Sequence, residues 1–555
     1  MSAVASGHPR QISPVPGPTR TARSGGRLPA GSSGRGPLVA TIVVVGLAAL
    51  ALRLWFLGNA PINSDEATVG LMAHQILHGH TSAFYWGQGY GGVEPYAVAA
   101  LMAVFGQSPL TLTATPVLLG ILGALLVWRI GLRLFPSVAA ASAAALSWVW
   151  SESALWNSTR ELGLHQVCLT LGLVALLWAL RVVQGLRSPA GDRLLDWAVL
   201  GGAVGLGFWA SPEIVYFAAP AGIVVLLALR GRAVAESVTR VGISVVAAVI
   251  GALPWVVVAA GGGTGSLPAS PVPYLSRLGT FFSHVLPMTL GLRVEGAGAW
   301  EGPPAVAQAL YALVLAAVVW AVFVVALRVR DGRVLVLCAA LYPFLYAAFP
   351  TSWFWNDGRY AVAVSPVLSL LVMGALWQAV RPPAVRWAAC GVLAAALAST
   401  LVAFNVGYGA IAHPTLLTRW TADPNPAITS LADRLESAGV THAYAGYWVA
   451  NDLTFLSGGR VVAKSLDVDR NPPQAAGVGG TPPAGWIFVG GDRLGAVAAQ
   501  LGSATELDAL PAGETGLTAW LGAHHVPYRR LPAGLFDVII PARRVSPQGV
   551  GSPGS

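Results

Sequence analysis

The dominant pattern along the chain is apolar blocks separated by short polar loops. A helix that crosses a bilayer needs roughly 20 mainly apolar residues. Eleven stretches approach that: 38–57, 110–128, 137–150, 163–180, 195–210, 213–229, 241–260, 305–327, 334–350, 360–380 and 387–407. The blocks 137–150 and 195–210 are short for a span. After residue 407 the pattern changes: charged residues return and apolar runs shorten. Residues 426–438 have helical spacing and end at Gly439. Short strands are predicted at 442–447, 460–463, 486–489 and 536–540, with a helix near 492–501. Strands alternating with helices predict a small α/β domain over 408–543. Residues 1–37, rich in Gly, Pro, Ser and Arg, and residues 544–555 read as disordered tails.

Composition supports the membrane reading. The chain has 555 residues, 55% hydrophobic and 10% charged, with mean hydropathy +0.64. Soluble domains are about 25% charged, so a soluble enzyme is excluded, and this much apolar residue excludes disorder for most of the chain. The three cysteines, Cys168, Cys338 and Cys390, all fall in apolar blocks and read as packing residues.

The few charges give a topology. The first tail carries Arg10, Arg20, Arg23, Arg27 and Arg35. Alternate short loops carry Arg129 and Arg133; Arg181, Arg187 and Arg193; Arg230, Arg232 and Arg240; Arg328, Arg330 and Arg333; Arg381 and Arg386. The opposite loops up to 407 hold Arg160, Arg277, Arg293 and Arg359. By the positive-inside rule the N-terminus is cytoplasmic. The tail is too long and polar for a cleaved signal peptide, so the first span reads as an uncleaved signal anchor. The +9 net charge is mostly this topology signal; no basic cluster interleaved with stacking aromatics points to nucleic acid. The fold class expected is a polytopic α-helical protein of about eleven spans, N-in and C-out. Interfacial helices would lie in its outer loops, and the C-terminal α/β domain would be extracytoplasmic.

The outer loops hold the acids Asp65, Glu66, Glu94, Glu152, Glu161, Glu213, Glu295, Glu301 and Asp357. Ionisable groups beside hydrocarbon are costly and tend to be functional. In the first outer loop, Asn63 or Ser64 can cap a helix opening at Asp65, where acids suit the helix dipole. Residues 93–105 are too short to span and suit an interfacial helix. Between them Gly87, Gly89, Gly91 and Gly92 alternate with Gln88 and Tyr90, a loop that can lie close to a ligand. It lacks the Lys and strand context of a phosphate loop.

Four features together resemble a known family. Leu52-Arg53-Leu54 in the first span, then Pro61, then Asp65-Glu66 opening a helix, resembles the integral-membrane GT-C glycosyltransferases. The similarity is to the protein O-mannosyltransferases and the lipid A aminoarabinose transferases. WNSTRELGLHQVCLTLG, PYLSRLGTFFSHVLPMTLGLR and WFWNDGRYAVAVSPVLSLLV resemble later segments of that family, and the likeness covers roughly 38–407. It implies transfer of a sugar, with inversion, from a polyprenyl phosphate to an acceptor hydroxyl on an extracytoplasmic glycan, lipid or protein. The plasma membrane would be the site of action.

That chemistry asks little of the protein. One base takes the acceptor proton. The lipid phosphate leaves as a stable anion and needs a cation that keeps its charge. The resemblance assigns the base to Asp65; Glu66 would orient Asp65 or contact a loop arginine. Arg359, followed by Tyr360, is the candidate for the donor phosphate, with Arg293 and Arg160 as rivals. Tyr90, Glu94 and Trp448 are candidates for sugar or acceptor contacts, with Tyr85, Trp86, Trp353, Trp355, Tyr444, Tyr447 and Asp452 as further possible contacts. His74 and His78, one turn apart, could ligate a metal but read as polar groups on a wet helix. The mannosyltransferase-like relatives need no metal, whereas oligosaccharyltransferase-type relatives use a divalent ion; the resemblance to the former implies no cofactor. A lipid-linked sugar flippase is the rival outside enzymes; a cell-envelope polymer ligase or arabinosyltransferase of similar topology is the rival within them.

Overall fold

The computed structural model describes residues 36–188, 191–262, 270–294, 298–381, 383–406, 423–480, 484–489, 493 and 513–550. Residues 1–35 of the first tail, Glu295, the helix expected near 492–501 and residues 551–555 lie outside that set.

Each apolar block forms a helix. In chain order these are α1 (Gly36–Asn59), α2 (Ser64–Leu77), α3 (Glu94–Phe105), α4 (Pro109–Leu134), α5 (Ser137–Val149), α6 (Glu152–Asn157), α7 (His165–Arg187) and α8 (Leu194–Ala210). Then follow α9 (Val215–Leu229), α10 (Val234–Gly251), α11 (Leu253–Ala260), α12 (Tyr274–Thr280), α13 (Leu286–Thr289), α14 (Pro304–Arg328), α15 (Arg333–Ala348), α16 (Ser365–Ala379) and α17 (Ala384–Val406). Among the described residues nine helical stretches are long and apolar enough to cross a membrane. The blocks short for a span form α5 and α8, of 13 and 17 residues. At 1.5 Å per residue they reach about 20 and 25 Å, less than the roughly 30 Å hydrocarbon core.

The arginine-rich loops meet at one end of the bundle. Arg187 and Gln184 both reach Asp331, and Arg133 bonds Gln184 at 3.1 Å. Arg240 pairs with Asp192 at 2.7 Å. The loops rich in acids therefore lie at the opposite end, as the connectivity of alternating helices requires. Inside the bundle Arg53 is almost fully buried. Its guanidinium lies 3.4 Å from the Trp148 ring centre and donates to Ser158 Oγ at 2.9 Å, joining α1 to α5 and the turn after α6.

Residues 423–550 contain α18 (Pro426–Ser437), α19 (Tyr447–Leu456) and a five-stranded sheet of β1 (His442–Ala445), β2 (Val462–Ser465), β3 (Gly485–Val489), β4 (Tyr528–Ala533) and β5 (Phe536–Pro541). The strand order is β2-β1-β3-β5-β4. β1 pairs in parallel with β2 and β3; β5 is antiparallel to β3 and β4. β4 is absent from the pattern expected above. It is an edge strand reading YRRLPA, exposed over most of its length, so it shows no apolar alternation. Residues 544–550, expected to be part of a disordered tail, are instead packed: Val545 and Val550 are buried beside Trp486, Leu517 and Leu521.

The sheet domain docks on the helix that carries Asp65. Phe455 of α19 joins an apolar cluster with Val69, Met72, Tyr85 and Val98. It presses on Gly70, where an added Cβ would stand 2.4 Å from the ring. Asn425 bonds both the N–H and the carbonyl of Ile62, at 3.0 and 2.9 Å. Asn451 donates to Thr68 Oγ1 at 2.8 Å.

Candidate functional site

α2 begins where a capping residue and an acid coincide. The Asn63 side chain accepts from the Glu66 N–H at 3.1 Å, and Glu66 Oε2 accepts from the Asn63 N–H at 3.0 Å, a reciprocal capping box. Glu66 is fully buried, pairs with Arg160, and accepts from the Glu161 N–H at 3.1 Å. This geometry locks the start of α2, with Asp65 turned about 100° around the helix from Glu66. Glu66 thus contacts a loop arginine, one of the two roles expected of it, while Arg160 is held there and does not line the pocket beside Asp65, where it was a rival for the donor phosphate.

Asp65 has three partners from distant parts of the chain. Tyr447 donates its hydroxyl to Oδ1 at 2.6 Å, and Arg470 donates to the same oxygen at 2.8 Å. Arg359 donates to Oδ2 at 3.2 Å. Burial opposes ionisation of Asp65. The Arg470 and Arg359 guanidiniums and the Tyr447 hydroxyl outweigh it and hold the carboxyl below its ordinary range. Burial and the Asp65 charge push the Tyr447 phenol well up, so it stays a donor.

Each arginine is positioned locally. Asp357 accepts from the Arg359 N–H at 3.1 Å and pairs with its Nε at 2.6 Å, which fixes the side chain at the turn before α16. Arg470 follows the turn after β2, where its carbonyl accepts from Asn451 at 2.9 Å. Its guanidinium lies between the rings of Tyr85 and Tyr447, 5.2 and 5.3 Å from their centres. The glycine loop comes within backbone reach of this turn: Gly87 has φ +72°, and a Cβ there would stand 2.6 Å from the Asp469 carbonyl. Tyr85 closes the arrangement by donating to the Asp65 carbonyl at 3.0 Å.

One pocket collects these groups. It is lined by Asp65, Arg359 and Arg470, by Tyr85, Gln88 and Tyr90 of the glycine loop, and by Leu162, Leu164, His165 and Tyr360. His165, at the start of α7, bonds Glu213 through Nδ1 at 3.1 Å and meets the Tyr360 ring edge-on at 5.0 Å. The expected residues Asp65, Arg359, Tyr360 and Tyr90 are therefore together.

Four others are elsewhere. Arg293 bonds the Gly298 carbonyl, lies 3.9 Å from the Trp300 ring centre and does not line the pocket beside Asp65. Arg160 is held by Glu66. Glu94 is fully buried, and burial pushes its carboxyl up to about 8; Glu161, packed against it, is raised as well. Trp448 packs against the sheet domain's own core. His74 and His78 lie against each other at the other end of α2, ring centres 4.3 Å apart and planes tilted by 38°. Among the described residues no group of three or more His, Cys, Asp or Glu side chains is placed to hold a metal.

Arg470 and His165 were not singled out from the sequence. Arg470 sits in Asp467-Val468-Asp469-Arg470-Asn471, which has the look of a solvated turn. His165 lies inside a stretch that carries the family resemblance, and that was its only signal.

A bundle of membrane-length helices, with a caged acid and two guanidiniums at the end opposite its arginine-rich loops, marks a multi-pass membrane protein. Residues 93–257 match the family described as dolichyl-phosphate-mannose-protein mannosyltransferase. Two crystal structures of ArnT from Cupriavidus metallidurans share the fold at 12% identity, covering 94% of this chain and 100% of theirs. The TM-score is 0.59 for the apo state and 0.60 for the form bound to undecaprenyl phosphate. An oligosaccharyltransferase from Archaeoglobus fulgidus, in the apo form, aligns at 14% identity and TM-score 0.46, covering 84% of this chain and 71% of that one. No curated protein matches the sequence. The chain shares its fold with ArnT, and its residues 93–257 are similar to the protein mannosyltransferase family.

Proposed function

We propose that the chain transfers a sugar from a polyprenyl-phosphate donor to an acceptor hydroxyl at the outer face of the plasma membrane, with inversion. The observation that carries this reading is the Asp65 carboxylate held between Arg359 and Arg470 in one pocket. The matched family segment and the fold shared with an ArnT that binds undecaprenyl phosphate support the donor class. The arginine-rich loops, gathered at the far end of the bundle, support an outer site through the positive-inside rule.

In this reading Asp65 takes the proton from the acceptor oxygen as that oxygen attacks the anomeric carbon. Arg359 meets the phosphate, and Tyr360 and Tyr90 form the walls beside it. His165, fixed by Glu213, faces the same space and can bond a sugar or acceptor hydroxyl. Two guanidiniums supply the cationic charge, and we infer that no metal is needed. The acceptor is a hydroxyl on an extracytoplasmic glycan, lipid or protein.

The test is transfer from a panel of synthetic polyprenyl-phosphate sugars, with wild type beside Asp65→Asn and with and without a chelator. Product from wild type only, unchanged by the chelator, is the expected result. Full activity in a normally folded Asp65→Asn protein would remove Asp65 from the role of base.

A further inference from the structure

The two guanidiniums on Asp65 are not equivalent. Arg359 has a second acid, Asp357, that keeps it in place when Asp65 changes. Arg470 has Asp65 as its sole acidic partner among the described residues, and otherwise touches the faces of two neutral phenols. Its side chain is 21% exposed and lines the pocket, whereas Arg160 is 5% exposed and lies outside it. A new anion in the pocket would therefore draw Arg470 first. Tyr447 donates to the same Asp65 oxygen and also accepts from Arg470 at 3.1 Å, so the sheet domain brings both residues to Asp65.

Resting on the transferase reading, we propose that Arg470, delivered by the C-terminal domain, is the second cationic arm for the phosphate of the lipid-linked sugar. It stays on Asp65 until that phosphate takes it over. The charges balance through the step. Before transfer, Asp65 and the phosphodiester each carry one negative charge. The acceptor oxygen then forms its bond to the anomeric carbon, and the bond from that carbon to the phosphate oxygen breaks, its electron pair leaving with the phosphate. The acceptor proton passes to Asp65. Asp65 is now neutral and the phosphomonoester carries two negative charges. With Asp357 unchanged beside Arg359, Asp65 and the phosphate together carry two negative charges at the start and at the end, while the charge moves from carboxylate to phosphate. An arginine able to lean either way matches both states. Its departure from Asp65 also removes a cation from the base, making Asp65 more ready to accept the proton.

The test reads binding, separately from transfer. A short-chain polyprenyl phosphate without sugar, and inorganic phosphate, are titrated calorimetrically into the full-length protein in detergent. Wild type is compared with Arg470→Ala, Arg470→Lys and Asp65→Asn, each checked by thermal melting. Loss of a charge-assisted contact should weaken lipid-phosphate binding by about tenfold or more in Arg470→Ala, with partial recovery in Arg470→Lys. Asp65→Asn should bind it about fivefold tighter, the effect of removing a like charge some 4 Å away in water. Inorganic phosphate should follow the same order at weaker affinity.

Wild-type binding in a folded Arg470→Ala protein, or no tightening in Asp65→Asn, overturns the proposal. Equal affinity for lipid and inorganic phosphate overturns its lipid-linked part. If Arg470→Ala does not fold, the Arg470→Lys and Asp65→Asn titrations decide. Retained transfer by Asp65→Asn would instead sink the base assignment and leave this binding order intact.

Discussion

The Tyr447 hydroxyl donates to Asp65 Oδ1 at 2.6 Å, joining residues 382 positions apart. The acid at the start of α2 is therefore finished by the sheet domain, and its resting state is ionised. Replacing Asp65 by Asn preserves the helix start, because Asn63 and Glu66 make the cap. Transfer should fall by about 10²- to 10⁴-fold, the contribution of a positioned base. The acid limb of kcat/KM should lie below the ordinary aspartate value of about 3.9. Arg470→Ala should move that limb upward, since it takes away a cation that favours the carboxylate. A pH–rate profile of both proteins checks the direction.

Arg359 is expected to act on the donor. Arg359→Ala should raise the donor KM by about 10- to 100-fold, the range of one charge-assisted hydrogen bond, with the acceptor KM nearly unchanged. Initial rates with each substrate varied in turn would show this. An unchanged donor KM would move the phosphate away from Arg359.

Glu66 and Arg160 should behave as a structural pair. Removing one partner of a buried ion pair costs about 3–5 kcal/mol. Arg160→Ala should therefore lower the melting temperature and the yield. The double variant Glu66→Gln with Arg160→Ala should regain part of the loss, which thermal melting of the four proteins measures.

Glu94 gives the fold a pH dependence of its own. Burial raises its carboxyl from 4.5 to about 8, so the folded chain holds that proton more tightly than the unfolded chain does. The stability it contributes is complete below the unfolded value and is lost as pH rises through the folded one. Melting temperature should fall as pH rises from about 5 to about 9, and Glu94→Gln should flatten the curve. An identical slope in both proteins would argue against it.

Gly70 tests the docking of the sheet domain. A side chain there meets the Phe455 ring. Gly70→Val should part α19 from α2 and abolish transfer while the membrane helices stay folded. Limited proteolysis should then cut more readily between the helices and the sheet domain, and Gly70→Val with Phe455→Ala should recover part of the contact.

The helices were legible because apolar blocks of membrane length carry their own signal, down to the two short ones at 137–150 and 195–210. Asp65, Arg359 and Tyr360 were legible through charge scarcity and family resemblance, and Tyr90 through the alternating glycines around it. Arg470 was hidden by its setting, an acid-flanked polar turn that gains meaning only when α19 docks on α2. Glu66 and Glu94 drew attention as acids in an outer loop, yet a capping box and burial account for them. Charge beside hydrocarbon marks both chemistry and architecture, and only the partner tells them apart.

Arg470 lies 405 residues beyond Asp65. A ribosome adding about 5–20 residues per second needs roughly 20–80 s to cover that distance. During that interval Asp65 has been made, while one of its arginines has not. The site is thus assembled last, by the final domain closing on the first loop. A chain that stops short of the sheet domain would insert its helices and still be inert.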